Sequence, residues 1–458
     1  MKRLLRNFIF GDTSRPDPDY PLSPVPAAAR RGLISISVVL LGFTFFYPTM
    51  YAGAEIGHAF RFWPDLFLVI GAGSLILGFY VAGLCAAGAE SGLTTVLLAR
   101  YAFGSRGARW ADLILGGSQL GWFGVTVALM AKPFVDWLGL DWSDPRTMIF
   151  WCLLWSAAFT STAYFGYKGM ETLSLAAVPL ILALGTVMAV KSFAHARETV
   201  GGITQILPTG RIGFGAAMTL IVGTFAAGGT QAPNWARFAR NRRVAFLAGL
   251  LAFLFGNGMM LWFGAVGGNV YGEPDFAVVL KLQGLLGLGI VLMVLNVWTT
   301  NDNTAYAVGV AGTALFQFNR KRPFVLFCGA FGFLIAISGA YDYVSLWMAA
   351  LGILIPPLGG VILSDYYLVR RRRLPPLEAA RRIKYRPGAL AAFGIGVLAA
   401  YFSERYSILI PPLNGILTAG LGHALINRLF PKSTFRQGHG IPCPNNVPQQ
   451  FKPSRRRK

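Results

Sequence analysis

Twelve apolar blocks, each bounded by charges, prolines or short polar loops, constrain this chain more than any other feature. They cover residues 33–56, 66–89, 113–137, 148–165, 173–193, 213–234, 244–266, 278–314, 324–340, 343–368, 389–402 and 408–429. A helix needs about 20 apolar residues to cross a bilayer, with a usual range of about 17–25. Most of the blocks fall near that length. The eighth is too long for one straight span and includes an interfacial stretch before it. The ninth and eleventh are short. Inside lipid every backbone polar group has to be satisfied within the protein, so long apolar runs of this kind form helices. The expected fold is an all-α polytopic membrane protein with twelve transmembrane helices. Composition agrees. Of 458 residues, 54% are hydrophobic and 13% charged, against roughly 25% charged in soluble domains.

Charge orients the chain. A net charge of +22 would suggest nucleic acid as a partner of a soluble protein. Here most Lys and Arg residues alternate with the spans. They lie in the segment 1–31, in the loops after the even-numbered spans and in the C-terminal end, including Arg237, Arg240, Arg242, Arg243, Arg320 to Arg322 and Arg370 to Arg373. The opposite loops hold Asp136, Asp141, Asp144, Glu273 and Asp275. This is the positive-inside pattern. It places both termini in the cytoplasm and the chain in the plasma (inner) membrane, and it removes nucleic acid as a partner. Residues 1–31 lack the apolar core of a signal peptide and read as a disordered basic tail, as do 430–458. Cys85, Cys152, Cys328 and Cys443 show no pairing or metal spacing. His58, His195, His423 and His439 are scattered, with none expected at mid-span.

Three polar interruptions stand inside the blocks. Residues 296–303 read Asn-Val-Trp-Thr-Thr-Asn-Asp-Asn. Asn296, Thr299, Thr300 and Asn303 share one helical face at i, i+3, i+4 and i+7. That face offers neutral oxygens to a small cation or a polar ligand. Asp302 reads as a structural hydrogen-bond acceptor, with proton carriage as the alternative. In span three, Gln119 and Trp122 sit at i and i+3 among glycines. An indole can stack on a flat ligand while an amide reads its edge, and Phe225 in span six can supply the opposite wall. Finally, residues 42–49 (Gly-Phe-Thr-Phe-Phe-Tyr-Pro-Thr) and 223–230 (Gly-Thr-Phe-Ala-Ala-Gly-Gly-Thr) place helix-loosening residues in the middle of spans one and six. Discontinuous helices in corresponding positions of two repeats mark a transporter's binding site. This spacing gives a five-plus-five inverted repeat with broken helices one and six. The first repeat spans 32–193, an external loop 194–212 and the second repeat 213–370. Two extra C-terminal helices follow at 387–429.

These strings, with 92–95, 97–100, 117–124 and 356–362, resemble the cytosine permeases of the nucleobase:cation symporter family, type 1. The resemblance extends from about Pro24 to Leu429. It implies import of cytosine by symport with sodium. By motif position, Trp122 and Phe225 would sandwich the base. Gln119 and Asn301 would bind its polar edge, with backbone near Thr224 and Gly228. Sodium would touch backbone at Gly42 and Phe46 and side chains at Asn296, Thr299 and Thr300. A related nucleobase, hydantoin or allantoin, or coupling to protons, is the alternative. The chain is expected to act as a monomer. Sodium is a hard cation suited to carbonyl and hydroxyl oxygens, and neutral cytosine needs no charged partner. A channel would be a symmetric assembly with a repeated filter. The spans carry no His-Glu-x-x-His string and no nucleophile–base pair that would mark an enzyme. Asp365 and Glu171 are expected near the inner interface beside Arg370 and Lys168, largely solvated.

Overall fold

The computed structural model describes residues 8–10 and 17–430. The expected C-terminal tail lies, from residue 431 on, outside the described residues. Among those described, no strand forms, and one bridge joins Arg31 to Ala239. The helices are α1 (Leu33–Thr44), α2 (Tyr47–Ala59), α3 (Phe67–Ser91), α4 (Thr95–Phe103), α5 (Ala108–Trp137), α6 (Pro145–Tyr164), α7 (Tyr167–Val200) and α8 (Phe214–Thr230). After a short helical turn at Pro233–Ala236 come α9 (Arg242–Leu250), α10 (Asn257–Tyr271), α11 (Phe276–Leu282), α12 (Leu286–Phe316), α13 (Arg322–Ala336), α14 (Val344–Ser364), α15 (Leu377–Arg382), α16 (Pro387–Arg405) and α17 (Pro411–Leu429). Six helical stretches among the described residues are long and apolar enough to cross a membrane alone. The pair α1 and α2, bent by 58°, makes a seventh. Block eight separates into α11 and α12, so its excess length is a short helix before the span.

Local chemistry sets the ends that matter. Thr94 caps α4 by accepting from the Leu97 N–H, and Gly92 before it adopts φ +70°, a region where a side chain is strained. Between α1 and α2, Phe45 and Phe46 leave the helical region, and Pro48 opens α2 in its first turn, where a missing N–H costs nothing. In α8, Phe225 has φ −130° and ψ 16°. Both departures fall inside the two stretches whose sequence loosens a helix. They meet in space, with the Phe43 and Phe225 rings 5.2 Å apart.

Small residues allow the closest approach. A Cβ on Gly53 or Gly57 of α2 would collide with the carbonyls of Leu261 or Ala265 of α10. One on Gly264 or Gly268 would collide with those of Met50 or Ala54. The two backbones therefore touch directly, as membrane helices do through small residues.

Residues 17–31 depart from the expected disordered tail. Asp17, Asp19 and Val25 are buried. Lys321 Nζ stands 2.7 Å from Asp19 Oδ2 and 3.6 Å from Asp17 Oδ1. Arg237 donates to the carbonyls of Tyr20 and Asp19 at 2.7 and 2.6 Å. Arg30 donates to the Ala89 carbonyl, and Arg31 pairs with Glu171. Glu171 thus takes Arg31 rather than Lys168. Asp365 also differs from expectation. It is buried, accepts from Arg370 Nε at 2.6 Å and faces His423 Nε2 at 3.5 Å. An ion pair of this kind, with both side chains shielded, needs its partner far more than a solvated one does.

Candidate functional site

The two helix breaks, α5 and α12 enclose a cavity of about 10 Å³, lined by Phe43, Phe46, Gln119, Trp122, Thr224, Phe225, Gly228, Thr300 and Thr304. Gln119 and Trp122 share the face of α5 that their spacing predicts, and both are buried. Gln119 Nε2 is a buried donor without a partner. A buried amide left unpaired is costly, and Gln119 is one of the polar residues on the cavity wall. Gly228 lets the wall come close, because a Cβ there would lie 2.6 Å from the Phe43 ring. The Thr224 hydroxyl turns onto its own helix, donating to Ile221 O at 2.7 Å.

Asn301 stands apart from the other five residues proposed for the base. It does not line the cavity. Its Oδ1 accepts from Thr126 Oγ1 at 2.8 Å, and its Nδ2 reaches Phe123 O at 3.5 Å. Both bonds tie α12 to α5.

Of the residues expected at the cation, Thr300 and Phe46 line the same cavity. The Thr300 hydroxyl lies 3.0 Å from Asn296 O, 3.1 Å from Phe45 O and 3.3 Å from Phe43 O. Thr299 Oγ1 lies 3.0 Å from Leu295 O and 3.1 Å from Asn296 O. Because α1 stops at Thr44, the carbonyls of Gly42 and Phe43 lack a following helical N–H. The Phe46 carbonyl instead accepts from the Thr49 and Met50 N–H groups and starts α2. Asn296 Oδ1 is buried without a partner. The Thr300 hydroxyl is thus the group that joins α12 to the carbonyls at the end of α1. Asp302 lies on the other side of α12. Its Oδ1 accepts from Asn303 Nδ2 at 3.0 Å, with the Thr162 hydroxyl beside the carboxylate.

Sequence reasoning missed Thr304, the Phe43 ring and Asn257. Thr304 lies one helical turn beyond Thr300 on the same face, so extending the periodicity would have found it. Asn257, a lone amide in block seven, joins three helices. Its Oδ1 accepts from Thr49 Oγ1 at 3.1 Å and lies 3.4 Å from Thr224 Oγ1.

Elsewhere, a cavity of about 500 Å³ opens at one end of the bundle. Tyr47, Tyr51, Lys132, Asp136, Asp275, Lys281 and Tyr341 are among its walls.

Known proteins place this architecture. A family described as permease for cytosine/purines, uracil, thiamine and allantoin matches residues 24–400. The cytosine permease of Escherichia coli K12 is 35% identical over 418 residues, which is 91% of this chain and 96% of its own. The hydantoin permease of Microbacterium maritypicum is 24% identical, over 77% of this chain and 76% of its own. The structure of Mhp1, a nucleobase-cation-symport-1 family transporter closed around bromovinylhydantoin, aligns with a TM-score of 0.78. It does so at 19% identity, over 92% of this chain and 97% of its own. The protein is thus an integral membrane permease with the Mhp1 fold, and it belongs to the family of permeases for cytosine/purines, uracil, thiamine and allantoin.

Proposed function

We propose that the protein imports cytosine by symport with sodium through alternating access. The supporting observation is the cavity at the junction of two helix breaks, with Trp122 and Phe225 on its walls and the unpaired Gln119 amide facing in. Trp122 and Phe225 stack on the two faces of the base. Gln119 reads its edge, with main chain near Thr224 and Gly228. Asn301 contributes by releasing its bonds to Thr126 and Phe123. Sodium binds among the carbonyls of Gly42 and Phe46 and the side chains of Asn296, Thr299 and Thr300. Twelve spans, arranged as two inverted five-helix repeats plus two appended helices, carry these groups. Both termini and the Lys321 end face the cytoplasm of the inner membrane.

Selectivity follows from hydrogen bonding. A site that accepts a bond from the exocyclic amine leaves a buried group unpaired with uracil, which costs a factor of up to ~10⁴. Coupling to protons is the second reading. It rests on Asp302, a carboxylate buried in α12 with only neutral groups hydrogen-bonded to it.

Uptake of radiolabelled cytosine into proteoliposomes tests both. Accumulation under an inward sodium gradient, lost when choline replaces sodium, is the expected result. Equal uptake in both buffers would remove sodium and transfer the coupling to Asp302. No uptake in either would remove cytosine, and hydantoins and other bases would then be compared.

A further inference from the structure

One side chain of the protein occupies the proposed base site. The Phe46 ring meets Trp122 at 5.1 Å between centroids and an interplanar angle of 77°. It meets Phe225 at 5.2 Å and 65°. It is therefore edge-on to both walls at once, and only 2% of the residue is exposed. The remaining space, about 10 Å³, holds at most one water. A base stacked between two rings needs their faces about 7 Å apart and free, since each aromatic contact takes about 3.5 Å. The Phe46 ring and a base cannot both be present.

The main chain of the same residue belongs to the other cargo. Phe46 is the joint between α1 and α2, with φ −131° and ψ 122°. The preceding carbonyls of Phe43 and Phe45 already reach the Thr300 hydroxyl. A cation that draws these oxygens together changes the torsions of the joint, and the direction of the Phe46 ring changes with them. The next residue, Tyr47, lines the 500 Å³ cavity, so the joint stands between the closed site and the open end.

We propose that Phe46 is a positioning residue that couples the two cargoes. Its ring fills the base site until sodium at the α1–α12 oxygens withdraws it. This rests on the reading of the site as a base site. It gives sodium dependence a physical origin. A site that is competent in only a fraction of molecules has its affinity lowered by that fraction, and by linkage the base tightens sodium by the same factor.

The test is cytosine binding to purified protein at zero and saturating sodium. In wild type, sodium tightens binding. In Phe46→Ala the backbone oxygens remain and the ring is gone. Sodium-free affinity rises by about tenfold or more, and the sodium effect shrinks toward none. Phe46→Leu keeps an apolar side chain and gives an intermediate gain, while Phe46→Trp weakens binding. Unchanged or weaker sodium-free binding in both Ala and Leu variants, with the wild-type sodium effect intact, overturns the proposal.

A second readout needs no base. A cysteine at Thr304→Cys, in a background with the native cysteines replaced, reports access to the site. Sodium raises its thiol reactivity when Phe46 is present. In Phe46→Ala it is reactive without sodium, and equal reactivity in both backgrounds at zero sodium overturns the proposal. If wild type binds no cytosine under either condition, the substrate reading fails, and the thiol readout still decides the role of Phe46.

Discussion

The two ends of the bundle are built differently. The end that holds Asp136 and Asp275 opens into a cavity of about 500 Å³. Asn269 and Gln283 make buried ties beside it, to Gly57 O at 3.1 Å and Ser192 Oγ at 2.7 Å, but the ties around the mouth are partly exposed. Trp142 Nε1 donates to Tyr341 Oη at 3.1 Å, Ser345 donates to Glu55 at 3.1 Å, and Lys132 lies 5.4 Å from the centre of the Tyr341 ring. The opposite end is closed by buried polar ties. Residues 17–25 lie across it, held by Lys321 and Arg237, which are 2% and 0% exposed. Beneath them Thr95 Oγ1 donates to Thr230 O at 3.0 Å, and the Thr95 N–H donates to Asn234 Oδ1 at 3.1 Å. The Tyr80 and Thr230 hydroxyls meet at 2.5 Å. The difference is energetic as well as geometric. Weak, wet contacts reorganise at small cost, while removing one member of a buried ion pair costs several kcal/mol. The structure therefore has one end open to a cavity and one end closed by buried ion pairs, with the Phe46 ring between them.

The largest expected effect breaks the lock. Lys321→Met leaves Asp17 and Asp19 without their cation, and the closed end loses about 3–5 kcal/mol. Hydrogen exchange of residues 17–25 should speed up markedly, and adding Asp17→Asn and Asp19→Asn should recover part of the protection. Unaltered exchange in the single variant would show that the pairs do not hold this end. Next comes the site itself. Trp122→Ala should cost about 1–3 kcal/mol of base affinity through lost stacking, read by equilibrium binding at saturating sodium. Unchanged affinity would move the base elsewhere. Thr300→Ala should cost about 1.5 kcal/mol, roughly tenfold in the sodium concentration for half-maximal uptake, with base preference retained. A wild-type sodium response would remove α12 from the cation site. The smallest effect belongs to the open end. Lys132→Met loses a cation–aromatic contact worth about 0.5–1 kcal/mol. A drop in thermal stability as large as that of Lys321→Met would erase the contrast between the ends.

The sequence carried much of this and hid some of it for physical reasons. Apolar blocks bounded by charge mark the helices because lipid allows few alternatives. The helix-loosening strings marked both departures from helicity, since Gly, Pro and β-branched residues act on the backbone locally. The pairing of Gln119 with Trp122 followed from helical spacing. By contrast, residues 17–31 are rich in Pro and Asp and look disordered in isolation. Their order comes from Arg237 and Lys321, more than 200 residues away, and no local pattern reveals such partners. Asp365 was misread for the same reason, because His423 reaches it from α17. Asn301 sits within the polar run, but whether its amide meets Thr126 or the cavity depends on how α12 is rotated against α5. The Phe46 ring was hidden most deeply. Spacing assigns a residue to a break, and only the assembled walls show what its side chain fills.

The glycine contacts between α2 and α10 have a consequence for motion. Over two turns the glycines set backbone against backbone, with no side chain between them to slide or repack. The pair is held as one plank, with two breaks beside it. One is the non-helical joint at Phe45 and Phe46. The other is the widened π turn at Leu251–Gly256, where α9 passes into α10. Both lie at the same end of the plank, one on each helix, like two pins of a single hinge. Any tilt of this plank sweeps Tyr47 and Tyr51 across the mouth of the large cavity and pulls directly on the residue whose ring fills the site.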